Sequence, residues 1–222
     1  MNGKITFLHT AEVHVATFTT LLNEMAPDVA ALHIVRDDLL RDAQKSGTGD
    51  PSLVGKVQAA MKGGAEAGSP VVVCTCSTIG GIAEAVETAG RFQAMRIDRE
   101  MADRAVQAGA RILLVAALES TLGPTESLIR DSARRAGKSV TLRNLVLADT
   151  WKHFQAGDIE RFTGAIADAV RKQAGDAQVI VLAQASMAPA QAKLGNLGVP
   201  VLSSPRLGVE AALRRLRESA GG

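Results

Sequence analysis

The sequence predicts an α/β protein made of two similar halves, each a parallel sheet flanked by helices. Three observations carry this expectation. Short β-branched runs alternate with Ala-rich segments of helical period, the pattern of strands joined by crossover helices. The second half replays the first: KITFLHTAE aligns with RILLVAALE at an offset of 107, and VVVCTCST with VIVLAQAS at an offset of 108. Finally, 222 residues, 46% hydrophobic and 22% charged, are enough for a sizeable core and fit neither disorder nor a coiled coil.

The elements follow in order. The first strand, 4–9, holds the run ITFLH, and a helix over 13–25 comes after it. Strand 31–35 (ALHIV) leads into a polar stretch, 36–50, read as a loop. Helix 51–67 opens on Pro51, whose fixed φ and missing N–H suit a first turn. The valine run makes strand 71–75, followed by helix 79–89 and strand 94–97. Helix 99–108 and strand 111–117 begin the second half. Helix 124–136 is expected to start at Pro124, strand 140–146 follows it, and 147–158 reads as a loop. Helix 158–173 starts on Asp158, strand 179–183 repeats the valine run, and helix 189–197 starts on Pro189. Strand 199–202 and helix 205–219 close the chain. The expected domains are 1–97 plus 204–222, with the last helix packing back on the first lobe, and 98–203.

Composition excludes several functions. Aromatic residues are 3%, too few for a stacking platform, and the net charge of +2 has no basic block, so no nucleic-acid partner is expected. No apolar run reaches transmembrane or signal-peptide length, which predicts a cytoplasmic protein with no membrane partner. The two cysteines, Cys74 and Cys76, stand two positions apart and form no disulfide framework.

Ligands of open parallel sheets bind outside the carboxyl ends of the strands, so two facing lobes are expected to put both edges around one cleft. Cys76 ends a strand at the start of a helix, where partial positive charge favours thiolate. Ser77, Thr78 and the amides near Gly80 make an anion seat, which Ser186 repeats in the second lobe. Ser120 and Thr121, ahead of the helix at Pro124, offer hydroxyls, as Thr10 does in the first lobe. His9 ends the first strand, the address of an acid, base or ligand contact. Glu12 and Glu119 align in the repeat as helix-start carboxylates, and Gln184 aligns with Cys76. No metal spacing is found among the histidines, and neither GxGxxG nor GxxxxGK[ST] occurs.

Cys76-Ser77-Thr78 after a valine-rich strand, MRID before a helix and ILLVAALEST, and the run VIVLAQASM together resemble the aspartate/glutamate/hydantoin racemase superfamily over nearly the whole chain. The resemblance implies two flavodoxin-like lobes and proton transfer at the α-carbon of a small carboxylate, without metal, nucleotide or pyridoxal. It also implies a homo-oligomer. By carry-over Cys76 is the first catalytic cysteine, Ser77 and Thr78 hold the carboxylate, and Ser120 or Thr121 and Ser186 contact the ligand. The position of the second cysteine holds Gln184, whose amide orients a ligand but exchanges no proton near pH 7. A one-cysteine decarboxylase and a non-catalytic carboxylate-binding protein are the alternatives.

Overall fold

The computed structural model describes residues 3–220. The chain divides after Asp98 and again after Ser204 into two compact units. The first contains β1 (Gly3–His9), α1 (Val13–Met25), β2 (Val29–Val35), α2 (Asp37–Ser46), α3 (Pro51–Glu66), β3 (Val71–Cys74), α4 (Gly80–Glu84) and β4 (Gln93–Arg96). The second contains α5 (Arg99–Ala108), β5 (Arg111–Ala116), α6 (Glu119–Arg135), β6 (Thr141–Val146), α7 (Trp151–Gln155), α8 (Ile159–Gln173), β7 (Val179–Leu182), α9 (Ala190–Leu194) and β8 (Val201–Ser203). Helix α10 (Ser204–Ala220) then joins the first unit.

Each unit holds a four-stranded parallel sheet, ordered β2-β1-β3-β4 in the first and β6-β5-β7-β8 in the second. The internal repeat is visible in the register. Ile5 pairs with Val71 and Leu8 with Cys74; shifted by the repeat offsets, Ile112 pairs with Val179 and Val115 with Leu182. Central strands covered on both faces read as continuous apolar runs, which is why β3 and β7 are valine-rich and fully buried.

Side chains alternate across β1. Phe7 and His9 meet Phe18 of α1, while Leu8 joins Leu53, Val57 and Met61 of α3 beneath Cys74. Val209, Ala212, Leu213 and Leu216 of α10 are buried. That helix lies so close to Ile97 that a Cβ on Gly208 would stand 2.3 Å from the Ile97 carbonyl oxygen. Backbone cannot yield cheaply, so Gly208→Ala is expected to lose about 1–3 kcal/mol of stability. Urea denaturation checks this; an unchanged midpoint would contradict the packing.

Several boundaries differ from the sequence reading. The helix expected over 79–89 stops at Glu84, and Ala89 and Gly90 farther on take left-handed backbone (φ 49° and 72°), so an α-helix could not have run to the end of that span. Pro124 does not start α6 but lies inside it, so Ser120 and Thr121 sit in the first turn and not ahead of the helix. The earlier start suits Glu119, an acid in the first turn. Helix α9 ends at Leu194, where Gly195 turns with φ 64°. Both stretches read as loops contain helices. Helix α2 has Asp37 and Asp38 in its first turn, Lys45 in its last, and Leu39 and Ala43 buried four apart. In α7, Trp151 stacks on Phe154 at 4.7 Å and packs against the second unit's core. Among the described residues no helix is long and apolar enough to cross a membrane.

Candidate functional site

The parallel strands of the first unit bring His9-Thr10, Thr75 to Thr78 and the segment after Arg96 to one edge. The chain leaves β3 still extended: the Thr75 N–H donates to the Leu8 carbonyl at 2.9 Å, and the Ile97 N–H to that of Cys74 at 2.9 Å. Cys76 then stands half-buried at the strand tip. Cys74 is sealed in the core, its thiol donating to the Cys76 carbonyl at 3.6 Å. Burial pushes the Cys74 thiol up, and the neighbouring Cys76 adds to the effect, so Cys74 stays protonated and unreactive. Thr10, Ser77 and Thr78 are buried around the same edge.

A buried ion pair that sequence reasoning missed lies under the Cys76 loop. The Arg96 guanidinium donates to both Asp98 oxygens, at 2.6 and 3.0 Å, and the two side chains are 4% and 0% exposed. Its Nη2 also reaches the Ser77 carbonyl at 3.4 Å. Gly80 lies against this guanidinium: a Cβ there would stand 3.0 Å from Arg96 Nε, so the glycine allows the helix start to rest on the cation. The available signal was the Arg-x-Asp spacing at the tip of β4, within the MRID already noted as a family mark.

His9 is turned into the fold. It is fully buried, with Nδ1 2.8 Å from Thr75 Oγ1 and Nε2 2.8 Å from His33 Nδ1, so the expected direct contact gives way to an internal one. Burial first, then the charges of His33 and His14, holds its pKa down to about 3. Burial alone takes His14 to about 4, and lowers His33 against the pull of Glu12. These rings are neutral in the fold but take up protons in the unfolded chain below about pH 6.5, so the unfolded state binds more protons there. Their contribution to stability is whole above that pH. It is lost as pH falls toward 4, by up to about 1.4 kcal/mol per pH unit each for His9 and His14 and by less for the half-buried His33. Urea midpoints should therefore fall between about pH 7 and about pH 5; a flat profile would contradict the burial of these rings.

The second unit's edge collects the remaining residues. Gln184 is buried just past β7, and its Oε1 accepts from the Ala117 N–H at 2.6 Å and the Leu118 N–H at 3.1 Å. The amide thus fills the turn between β5 and α6, with its oxygen committed to backbone. Ser186 is buried in a 3-10 turn, Ala185–Met187, and Thr121 is buried in the first turn of α6. Among the described residues, the buried side-chain oxygens with no hydrogen-bond partner are Ser120 Oγ and Ser204 Oγ. Both lie past strand ends at this one edge. Buried hydroxyls without partners are costly, and a polar ligand is one way to satisfy them.

Comparison with known proteins places this arrangement. The sequence model of the Asp/Glu/Hydantoin racemase family matches residues 14–212. Nothing among the curated proteins matches the chain. Among solved structures, Picrophilus torridus aspartate racemase is similar at TM-score 0.71 and 14% identity, over 99% of this chain and 94% of that one. Allantoin racemase from Klebsiella pneumoniae is similar at TM-score 0.64 and 17% identity, over 98% and 89%. A Gly-to-Cys mutant of arylmalonate decarboxylase is similar at TM-score 0.59 and 16% identity, over 96% and 93%. With a four-stranded parallel sheet in each unit and a family match that covers most of its length, this chain belongs to the Asp/Glu/hydantoin racemase family.

Proposed function

We propose that the chain is a cofactor-independent enzyme of the racemase or isomerase kind that moves a proton at the α-carbon of a small carboxylate, with Cys76 as acid/base. One observation carries this reading: Cys76 is the half-buried thiol at the carboxyl edge of a parallel sheet, while Cys74 is locked in the core. A carbon acid beside a carboxylate is very weak, so a thiolate base needs an anion seat and dry surroundings. Ser77 and Thr78 supply that seat, with Thr10 beside them at the sheet edge. The second unit's edge carries Ser120, Thr121, Gln184 and Ser186, and its unpartnered Ser120 hydroxyl suits a polar ligand. Gln184 positions; it does not exchange the proton.

A second reading, decarboxylation, is favoured by the same Gln184. Loss of carbon dioxide leaves a carbanion without any base, and one thiol suffices to protonate it. Incubating enantiopure amino acids, hydantoins and substituted malonates in deuterated water separates the readings. Deuterium entering the α-position of an unchanged acid supports the first, and carbon dioxide release from a malonate supports the second. Tight binding without either reaction would overturn both in favour of a binding protein.

A further inference from the structure

One cluster of hydrogen-bonded histidines and threonines, buried at His9 and Thr75 and half-buried at His33 and Thr19, has no part in the chemistry proposed above. His9 of β1, His33 of β2, Thr19 of α1 and Thr75 after β3 form a single chain of contacts: Thr75 Oγ1 to His9 Nδ1 at 2.8 Å, His9 Nε2 to His33 Nδ1 at 2.8 Å, and His33 Nε2 to Thr19 Oγ1 at 2.9 Å. Each hydroxyl also reaches a backbone carbonyl, Thr75 that of Leu8 at 3.1 Å and Thr19 that of Val15 at 2.8 Å.

Counting protons limits what this chain can be. A hydroxyl has one proton to donate, and a neutral imidazole has one N–H and one lone pair. If both threonines donate to carbonyls, both outer ring nitrogens, His9 Nδ1 and His33 Nε2, must carry protons. The inner nitrogens then face each other as two lone pairs, and only a third ring proton turns that contact into a hydrogen bond. The neutral pair must therefore turn one hydroxyl onto a ring, and both rings then adopt the same tautomer. Either both are Nδ1–H, with Thr19 donating to His33, or both are Nε2–H, with Thr75 donating to His9. One added proton frees that hydroxyl for its carbonyl. A second would set two N–H groups head to head and part the rings.

We propose that His9 and His33 are positioning residues for Cys76: a pair in the shared Nε2–H tautomer, favoured because the Thr75 hydroxyl lies farther from its carbonyl (3.1 Å) than the Thr19 hydroxyl from its own (2.8 Å), that takes up one proton and thereby decides where the hydroxyl of Thr75, the residue before Cys76, donates. The groups acting on the pair come from the surrounding elements. His14 of α1 lies with its ring centroid 6.3 Å from that of His9, Glu12 ahead of α1 favours a charged His33, and the rings of Phe7 and Phe18 pack against His9. Burial keeps the pair neutral at pH 7, so acid throws the switch.

The link to catalysis rests on the function proposed above; the proton count does not. The test uses the full chain labelled with 15N-histidine. Ring spectra at neutral pH should show His9 and His33 both in the Nε2–H tautomer, with coupling across the N–H···N bond, and acidification should add a single proton to the pair before unfolding. In parallel, iodoacetamide alkylation of Cys76 is followed against pH, Cys74 being buried. The ratio of wild-type to His33→Gln rates, which cancels the thiol's own titration, should shift where the pair protonates. In Thr75→Val the rings should still titrate while that shift is lost. A shared Nδ1–H tautomer, opposite tautomers, two independent ordinary histidine titrations, or a flat alkylation ratio would overturn the proposal. Absence of α-proton exchange with every substrate would instead count against the proposed function, leaving these ring and alkylation results to stand or fall by themselves.

Discussion

Asp98→Ala is expected to cost about 3–5 kcal/mol, a large fraction of the stability of an ordinary domain. The reason is the position of its partner. Arg96 is 4% exposed and donates to both Asp98 oxygens, so removing the carboxylate strands a guanidinium that water cannot reach. Replacing both charges is far milder, because two neutral side chains of similar volume avoid the desolvation penalty that the pair itself bears. The double variant Arg96→Met with Asp98→Leu should therefore recover most of the loss. Denaturant midpoints of the single and double variants check this. A single variant within about 1 kcal/mol of wild type would mean that the pair is hydrated.

Cys76→Ser is expected to lower α-proton exchange by at least about a hundredfold, the usual scale for removing a positioned acid or base. Serine keeps the size and the hydrogen-bonding capacity of the side chain, but its hydroxyl is a far weaker acid than a thiol and supplies no comparable base at neutral pH. Because Cys76 is half-buried at a strand tip and not packed within β3, the substitution should leave the denaturant midpoint nearly unchanged. Loss of activity with intact stability is the pattern that assigns chemistry to this sulfur. Exchange that persists at the wild-type rate would assign it elsewhere.

Much of this architecture was readable from residues alone, for identifiable reasons. Strands buried on both faces write themselves as valine runs, and an internal repeat survives as an offset that the register of both sheets reproduces. The place of Cys76 past the end of a strand was legible because a valine run closing on Ser-Thr marks a strand-to-helix turn locally in sequence. What failed was tertiary in origin. Charged residues are seldom fully buried, so the Arg-x-Asp spacing within MRID did not by itself say that Arg96 and Asp98 would be. His9 looked like a ligand contact because it ends a strand, yet its partner His33 comes from a different strand and turns it inward. The start of α6 was masked by Pro124, since the preference of proline for first turns outweighed the weaker signal of Glu119. Helix α2 hid in a polar stretch because only Leu39 and Ala43 mark its buried side.

The central claim is that one thiol, with an amide at the repeat-equivalent position, handles the proton. It is tested most directly by following an enantiopure substrate in deuterated water and asking which enantiomer carries the label first. A single acid/base returns deuterium to the face it was taken from, so label should accumulate in the recovered starting enantiomer ahead of any inversion. Label confined to the inverted product from the earliest time points would reveal a second acid/base group acting from the opposite side, and would contradict this account.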